Sequence, residues 1–112
     1  MAEPLPLNRF RTITETLETS EQEVYTVPAG ASTVVLGAQC ANVSGSETTV
    51  TFKTRIGGID TELLDEFALP PNDAVNLVSG KLVLEENSIL VASTGTNLSC
   101  KLTLSILETS NE

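Results

Sequence analysis

Histidine and tryptophan are absent from this chain of 112 residues, which has one tyrosine, three phenylalanines and two cysteines. Without histidine the chain has no side chain that titrates naturally near neutral pH, and so lacks the commonest general base. Two cysteines without histidine also do not make an ordinary zinc site. Sugar sites commonly stack an aromatic ring on the ligand, and Tyr25 is the one tyrosine or tryptophan available for that. We therefore expect no enzyme, no metal and no cofactor.

Basic residues are also scarce, since six lysines and arginines stand against 15 acids, giving a formal net charge of −9. Binding to a nucleic-acid backbone or to an anionic membrane surface requires a basic face, so both partners are excluded. No apolar run reaches the roughly 20 residues of a membrane span. The first residues lack the basic and apolar regions of a secretion signal, so we expect synthesis in the cytoplasm.

Strict alternation of apolar and polar residues is the main positive signal, and it predicts strands with one face in a core. It is clearest at residues 100–106 and recurs in two other stretches. The residues expected on the core faces of those two are Val34, Leu36, Ala38 and Cys40, followed by Val50, Phe52, Thr54 and Ile56. Turn signals every 8 to 12 residues are typical of sandwiches and barrels. The sequence thus predicts an all-β, single-domain antiparallel β-sandwich, jelly-roll-like, with eight or nine short strands.

The chain divides into three segments on composition. Residues 1–8 contain Pro4 and Pro6, which favour extended backbone, and predict an N-terminal arm. Residues 9–108 form the predicted sandwich, and residues 109–112 a polar tail. Strands are expected at 9–17, 23–27, 33–43, 48–56, 74–78, 81–84, 89–92 and 98–107. A further strand within 59–69 breaks the alternation, which predicts a bulge or a helical turn there.

Cys40 and Cys100 both fall on the apolar faces of their strands, which predicts buried thiols that act as small hydrophobic groups. A disulfide between them would need their Cα atoms within roughly 7 Å and an oxidising compartment.

Several patterns associated with chemistry are present but weak. Carboxylate pairs such as Asp60 with Glu62 could serve a glycosidase-like reaction, and the cluster Asp60, Glu62, Asp65 and Glu66 could hold calcium. With 15 acids, such groupings arise by chance, and the order of acids and glycines matches no EF-hand. Asn42 and Asn97 begin glycosylation sequons, which are chance matches in a chain without a secretion signal.

Edge chemistry points to assembly instead. An open sandwich leaves unpaired strand edges that can add a neighbouring chain. The apolar residues of the arm and the start of the first strand are the candidate protein interface. Its residues are Leu5, Leu7, Arg9, Phe10 and Arg11.

A set of short motifs also resembles a known family. YTVPAG at 25–30 is followed by VVL at 34–36, ANVS at 41–44, LPPND at 69–73, SGKLVLE at 79–85 and LTLSILE at 102–108. This order resembles small β-sandwich virion proteins of tailed bacteriophages, especially those that infect cyanobacteria, over most of residues 8–108. Glu86-Asn87 departs from the Gly-Asp turn usual in that family.

The resemblance implies a non-enzymatic structural protein of the virion. It further implies a capsid decoration or cement protein on the outer head shell, bound to the major capsid protein or another virion protein. Such proteins are commonly homo-oligomers, often trimers, that reach neighbours through terminal arms. A tail, neck or baseplate accessory protein is the alternative within the virion. A receptor- or carbohydrate-binding module is the alternative outside this class, and a small hydrolase ranks below it.

Overall fold

The computed structural model describes residues 8–78 and 80–110, and in this part of the chain all regular elements are strands. The strands in chain order are β1 (Asn8–Thr16), β2 (Gln22–Thr26), β3 (Ala31–Asn42), β4 (Thr48–Ile56), β5 (Ile59–Leu69), β6 (Ala74–Asn76), β7 (Leu82–Leu84), β8 (Ile89–Thr94) and β9 (Cys100–Ser110). The described residues thus contain nine strands, each at a place where the sequence predicted one.

Two antiparallel sheets form the sandwich. Sheet A has the order β1-β9-β3-β6, with β7 also paired to β3, and sheet B has the order β2-β8-β4-β5. Successive strands therefore alternate between the sheets over the first half of the chain. Counting β6 and β7 as one edge position, this is the eight-strand arrangement of two Greek keys that defines a jelly roll. The predicted fold class is confirmed.

The core lies between the two sheets and is almost entirely aliphatic. In β9 the alternation holds without a break, because Cys100, Leu102, Leu104 and Ile106 are at most 1% exposed. In β4, Val50, Phe52 and Thr54 are buried as predicted, whereas Ile56 is 54% exposed, since it stands at the hairpin turn that Gly57 and Gly58 form with positive φ angles. Neither glycine carries the Cβ that makes this backbone conformation costly.

Strand β3 departs from the predicted pattern. Val35, Ala38 and Cys40 enter the core, while Val34 is half-buried and Leu36 is 39% exposed on the opposite face. The cause is a β-bulge between Val35 and Gly37, where the pairing with β9 skips one residue. An extra residue in one strand reverses the alternation on one side of it. The placement of Val34 and Leu36 on the core face was therefore wrong.

The two thiols are buried, as predicted, and both are free. Cys40 lies opposite Leu102, two pairs along from Asn42 and Cys100, so both side chains enter the core from adjacent strands. Burial, together with contact with the Cys100 thiol, raises the pKa of Cys40 to about 12. The thiolate is the reactive form of cysteine, so Cys40 is inert at neutral pH.

The ends of the strands differ by a few residues from the expected ones. β9 continues to Ser110, where it pairs with Ala31 at the start of β3, so it includes two residues expected in the polar tail. β5 is one continuous strand whose pairing with β4 shifts near Phe52, which is the bulge expected from its imperfect pattern. Apart from Asn8, which opens β1, the expected arm lies outside the described residues.

Candidate protein interface

The predicted interface residues fall into two groups. Leu5 and Leu7 lie outside the described residues. Arg9, Phe10 and Arg11 stand at the start of β1, which is an edge strand of sheet A. The alternation sends Phe10 to the outer face, where it is 73% exposed, and turns Arg11 toward the rim of the core. Of the described interface residues, Phe10 is thus the exposed apolar one.

Arg11 joins a polar network that connects the two sheets. Its Nη1 lies 3.1 Å from Oε2 of Glu108 on β9, and the hydroxyl of Tyr25 on β2 donates to the same oxygen at 2.5 Å. The Tyr25 hydroxyl also lies 2.8 Å from Oγ1 of Thr33 on β3. Each of these buried polar groups has a partner, which removes most of the cost of burying it.

This network makes Tyr25 unavailable for stacking on a ligand. Its side chain is 6% exposed and its hydroxyl is bonded inside the sandwich, so its ring face cannot stack on a sugar. Desolvation, together with the hydrogen bond to Glu108, raises the pKa of the Tyr25 phenol from 10.0 to about 12. The phenol therefore acts as a sheet-to-sheet donor over the whole physiological pH range.

The raised pKa of Tyr25 predicts a loss of stability in alkali. The unfolded state releases the phenolic proton from pH 10 upward, whereas the folded state holds it until about pH 12. The contribution of this phenol to the free energy of unfolding is therefore complete below pH 10. It falls by about 3 kcal/mol as the pH rises to 12. Urea unfolding at several pH values between 9 and 12 measures this decline.

Tyr25→Phe is the control, because the raised pKa of Cys40 contributes a decline of its own in the same pH range. The wild type should lose about 3 kcal/mol more between pH 9 and 12 than Tyr25→Phe does. Parallel declines in the two proteins would show that Tyr25 titrates alike in the folded and unfolded states.

The outer face of sheet B is charged. Lys53 and Arg55 on β4 reach across the sheet, and both form ion pairs with Asp60 on β5 and with Glu21 before β2. Arg55 also pairs with Glu23 on β2 at 3.4 Å. Lys53 pairs with Val91 and Arg55 with Ile89 on β8, so the aliphatic stems lie beside apolar residues of the same face.

Asp60 is neutralised within this cluster. Its hydrogen bonds with Arg55, and secondarily with Lys53, hold the pKa of its carboxyl well below the ordinary value. Asp60 thus stays ionised and paired, which separates it from the exposed acids Glu62, Asp65 and Glu66. Over the described residues, no three acid or cysteine side chains gather in a geometry that could hold a metal ion.

The outer face of sheet A is different, because an apolar row crosses it. Phe10 on β1 pairs with Leu107 on β9, Leu107 pairs with Val34 on β3, and Val34 pairs with Val83 on β7. Directly paired residues of antiparallel strands lie on the same face. Phe10 and Val83, at the two ends of this apolar row, are 73% and 67% exposed. Beside it, Leu36 lines a shallow depression of about 200 Å³ together with Phe10.

Apart from Lys101, uncharged residues occupy the rest of this outer face. The rows beside the apolar row are formed mainly by threonine, serine, glutamine, asparagine and alanine: Thr12, Thr14, Thr16, Thr103, Ser105, Gln39, Asn76, Ala41 and Ala74. Among the described residues paired across this face, Lys101 is the one charged side chain and no acid occurs. In a chain with net charge −9, the acids are thus kept off one whole face.

Asn42, the first residue of a sequon, has a structural role. It is 1% exposed, and its Nδ2 donates to the carbonyl oxygens of Ser46, Leu69 and Pro70 at 2.9 to 3.2 Å. Its Oδ1 accepts from the backbone nitrogen and the hydroxyl of Ser44. A side chain that is buried and bonded in this way cannot carry a glycan.

The bulge in β3 is one reason why sequence reasoning missed the apolar row. Without the bulge, Val34 and Leu36 belong to the core, and the apolar row is interrupted between Leu107 and Val83. Gly37 in the middle of an apolar strand was the available signal, because a glycine inside a strand often marks a bulge.

Three solved structures have the same fold as this chain. A chain in the acid-stable capsid structure of Helicobacter pylori bacteriophage KHP30 matches with a TM-score of 0.56 and 11% identity, over 96% of this chain and 90% of the other. A chain of the disulfide-linked pili that form Bacillus endospore appendages matches with a TM-score of 0.56 and 10% identity, over 94% of this chain and 88% of the other. A chain of the T13 IBDV viral particle matches with a TM-score of 0.55 and 13% identity, over 94% of this chain and 31% of the other.

No protein-family model matches the sequence, and no curated protein sequence is significantly similar to it. At 10 to 13% identity, the three structures share the jelly-roll fold with this chain, and a fold by itself does not specify a function. In the described part of the chain, no helix is long and apolar enough to cross a membrane.

Proposed function

We propose that this protein is a non-enzymatic structural component of a bacteriophage virion, and that it decorates the outer surface of the head shell. The observation that carries the proposal is the complete jelly roll, matched over nine-tenths of its length to a chain of a phage capsid structure. The resemblance of residues 8–108 to small phage virion proteins supports it from the sequence side.

The surfaces of the molecule favour a binding role over chemistry. Its two polar clusters stabilise the fold. Glu108 contacts Tyr25 and Arg11 within the sandwich, and Asp60 forms ion pairs with Lys53 and Arg55. Among the described residues, the exposed features that suit a protein partner are a sheet face without acids and an edge strand. Such features serve contact with other protein surfaces.

Phe10 and the residues before it are the proposed contact with the shell. Phe10 is 73% exposed on an edge strand, directly after the segment that contains Leu5 and Leu7. Arg9 is exposed on the same strand, whereas Arg11 is held by Glu108 and contributes through its exposed part. The partner is the major capsid protein or another protein of the virion.

A carbohydrate- or receptor-binding module is the second candidate from the sequence, and the burial of Tyr25 counts against it. The depressions on the described surface also lack an exposed tyrosine or tryptophan ring. Within the virion, a tail, neck or baseplate accessory protein has the same fold requirements as a head protein. The location of the protein in the particle distinguishes a head protein from a tail, neck or baseplate protein.

Cryo-electron microscopy of the intact particle tests the proposal. Density for this chain spread over the icosahedral shell is the expected result. Density confined to the neck, tail or baseplate would overturn the decoration role and assign the protein to the tail machinery. Absence from purified particles would overturn the virion role altogether.

Deletion of residues 1–7 tests the arm. We expect the truncated protein to fold, because β1 begins at Asn8 and the core residues all follow it, but to lose binding to undecorated shells. Co-sedimentation of shells with the truncated and full-length proteins measures occupancy. Deletion of residues 111–112 at the other terminus is the control. Full occupancy by the truncated protein would show that the arm is dispensable.

A further inference from the structure

We infer that the outer face of sheet A is a self-association surface, on which a second copy of this chain packs face to face. The uncharged face with its central apolar row, Phe10, Leu107, Val34 and Val83, is the feature that carries this inference. It goes beyond the proposed virion role and concerns the isolated protein; because Phe10 belongs to both proposed contacts, self-association and shell binding compete for it.

The distribution of charge on the molecule favours a second copy of this chain as the partner of the outer face of sheet A. Every copy carries a net charge of −9, so two copies repel each other unless they meet through surfaces free of acids. The outer face of sheet B presents Glu23, Asp60 and Glu62 and is unsuitable. A partner with basic patches would also be drawn to that charged face and away from sheet A. A second copy offers an uncharged face of the same composition.

The pattern of rows is self-complementary. Consider a two-fold axis that lies between the two packed faces, parallel to the strands, and crosses the apolar row between Leu107 and Val34. Rotation about this axis places Phe10 of one copy near Val83 of the other. The same rotation brings the uncharged polar residues of one copy against the face of the other. Two aligned sheets pack about 10 Å apart with their side chains interdigitated, which desolvates the apolar row.

The size of the face is sufficient. Three strand positions about 4.8 Å apart, along nine residues of about 3.3 Å each, and a fourth made up of the three-residue strands β6 and β7, give roughly 500 Å² of projected area. The side chains make the accessible area larger than its projection. The smaller stable protein–protein contacts bury about 600 Å² on each partner, so one face reaches the lower limit of what a dimer needs.

Sedimentation equilibrium of the full chain tests the inference. The expected mass is twice 11.9 kDa. Val83→Glu is the decisive variant, because within one chain β7 lies at the opposite edge of sheet A from β1 and its substitution leaves the first strand unchanged. A buried, unpaired carboxylate should weaken dimerisation more than about tenfold. Phe10→Glu should act in the same way from the other end of the apolar row.

Thr26→Glu is the matched control, since Thr26 is an exposed strand residue on the outer face of sheet B, opposite Ile89. It should leave the dimer intact. If either glutamate variant fails to fold by circular dichroism, Val83→Thr and Phe10→Thr keep β-propensity while reducing apolar area, and should weaken the dimer to a smaller degree.

Four results would overturn the inference. The first is a monomeric wild type at concentrations up to about 1 mM. The second is a trimeric mass, the state that the family resemblance implies, because a face that packs on itself joins copies two at a time. The third is a dimer unaffected by Val83→Glu and Phe10→Glu. The fourth is a dimer that persists in Val83→Glu but is lost on deletion of residues 1–7, which would make the arm the occupant.

Discussion

Replacing Phe52 with alanine should lower the free energy of unfolding by about 4 kcal/mol. Phe52 is 0% exposed and is the largest of the fully buried side chains. It lies in β4 between Leu64 of β5 and Ala92 of β8, at the centre of sheet B. The aliphatic residues of sheet A pack against it from across the core, and none of them is large enough to fill the space left by the ring.

Phe10→Ala is a control of the same chemistry, because Phe10 is 73% exposed. Its stability should change by no more than about 0.5 kcal/mol when urea unfolding is measured at a dilution where the protein is monomeric. A loss below about 1 kcal/mol for Phe52→Ala would mean that the core closes around the cavity. With total stabilities of about 5 to 15 kcal/mol for such domains, the expected loss is large.

Replacing Asn42 with alanine should cost about 3 kcal/mol, because it removes the donor shared by three carbonyl oxygens and the acceptor used by Ser44. Those carbonyls belong to the turn after β3 and to the corner at Leu69-Pro70, so Asn42 connects two distant segments. Asn42→Asp keeps the shape but places a carboxylate against the same carbonyl oxygens. It should be at least as destabilising.

Asn97, the other sequon asparagine, provides the comparison. Its Oδ1 accepts one hydrogen bond, from the backbone nitrogen of Thr19, on an exposed loop. Asn97→Ala should therefore cost less than about 1 kcal/mol in the same urea measurement. Equal losses for the two alanine variants would mean that the buried network around Asn42 adds nothing beyond a single exposed hydrogen bond.

The candidate interface could be predicted only in part. Phe10 was predicted from its position in an alternating edge strand, and it is exposed there. Leu107, Val34 and Val83 were not predicted, because they come from three strands that are distant in sequence and meet only through pairing. Glu108 and Tyr25, 83 residues apart, form their buried hydrogen bond for the same reason.

The sequence by itself determined the class of the fold, the number and approximate bounds of the strands, and the core faces of β4 and β9. It did so because period-two alternation and turn residues act locally, within a few residues of each other. Only the tertiary structure decided the order of the strands, the face on which Val34 and Leu36 lie, and the separation of a charged face from an uncharged one. These features depend on register between distant segments, and a single extra residue in β3 is enough to change which side chains meet the core and which meet a partner.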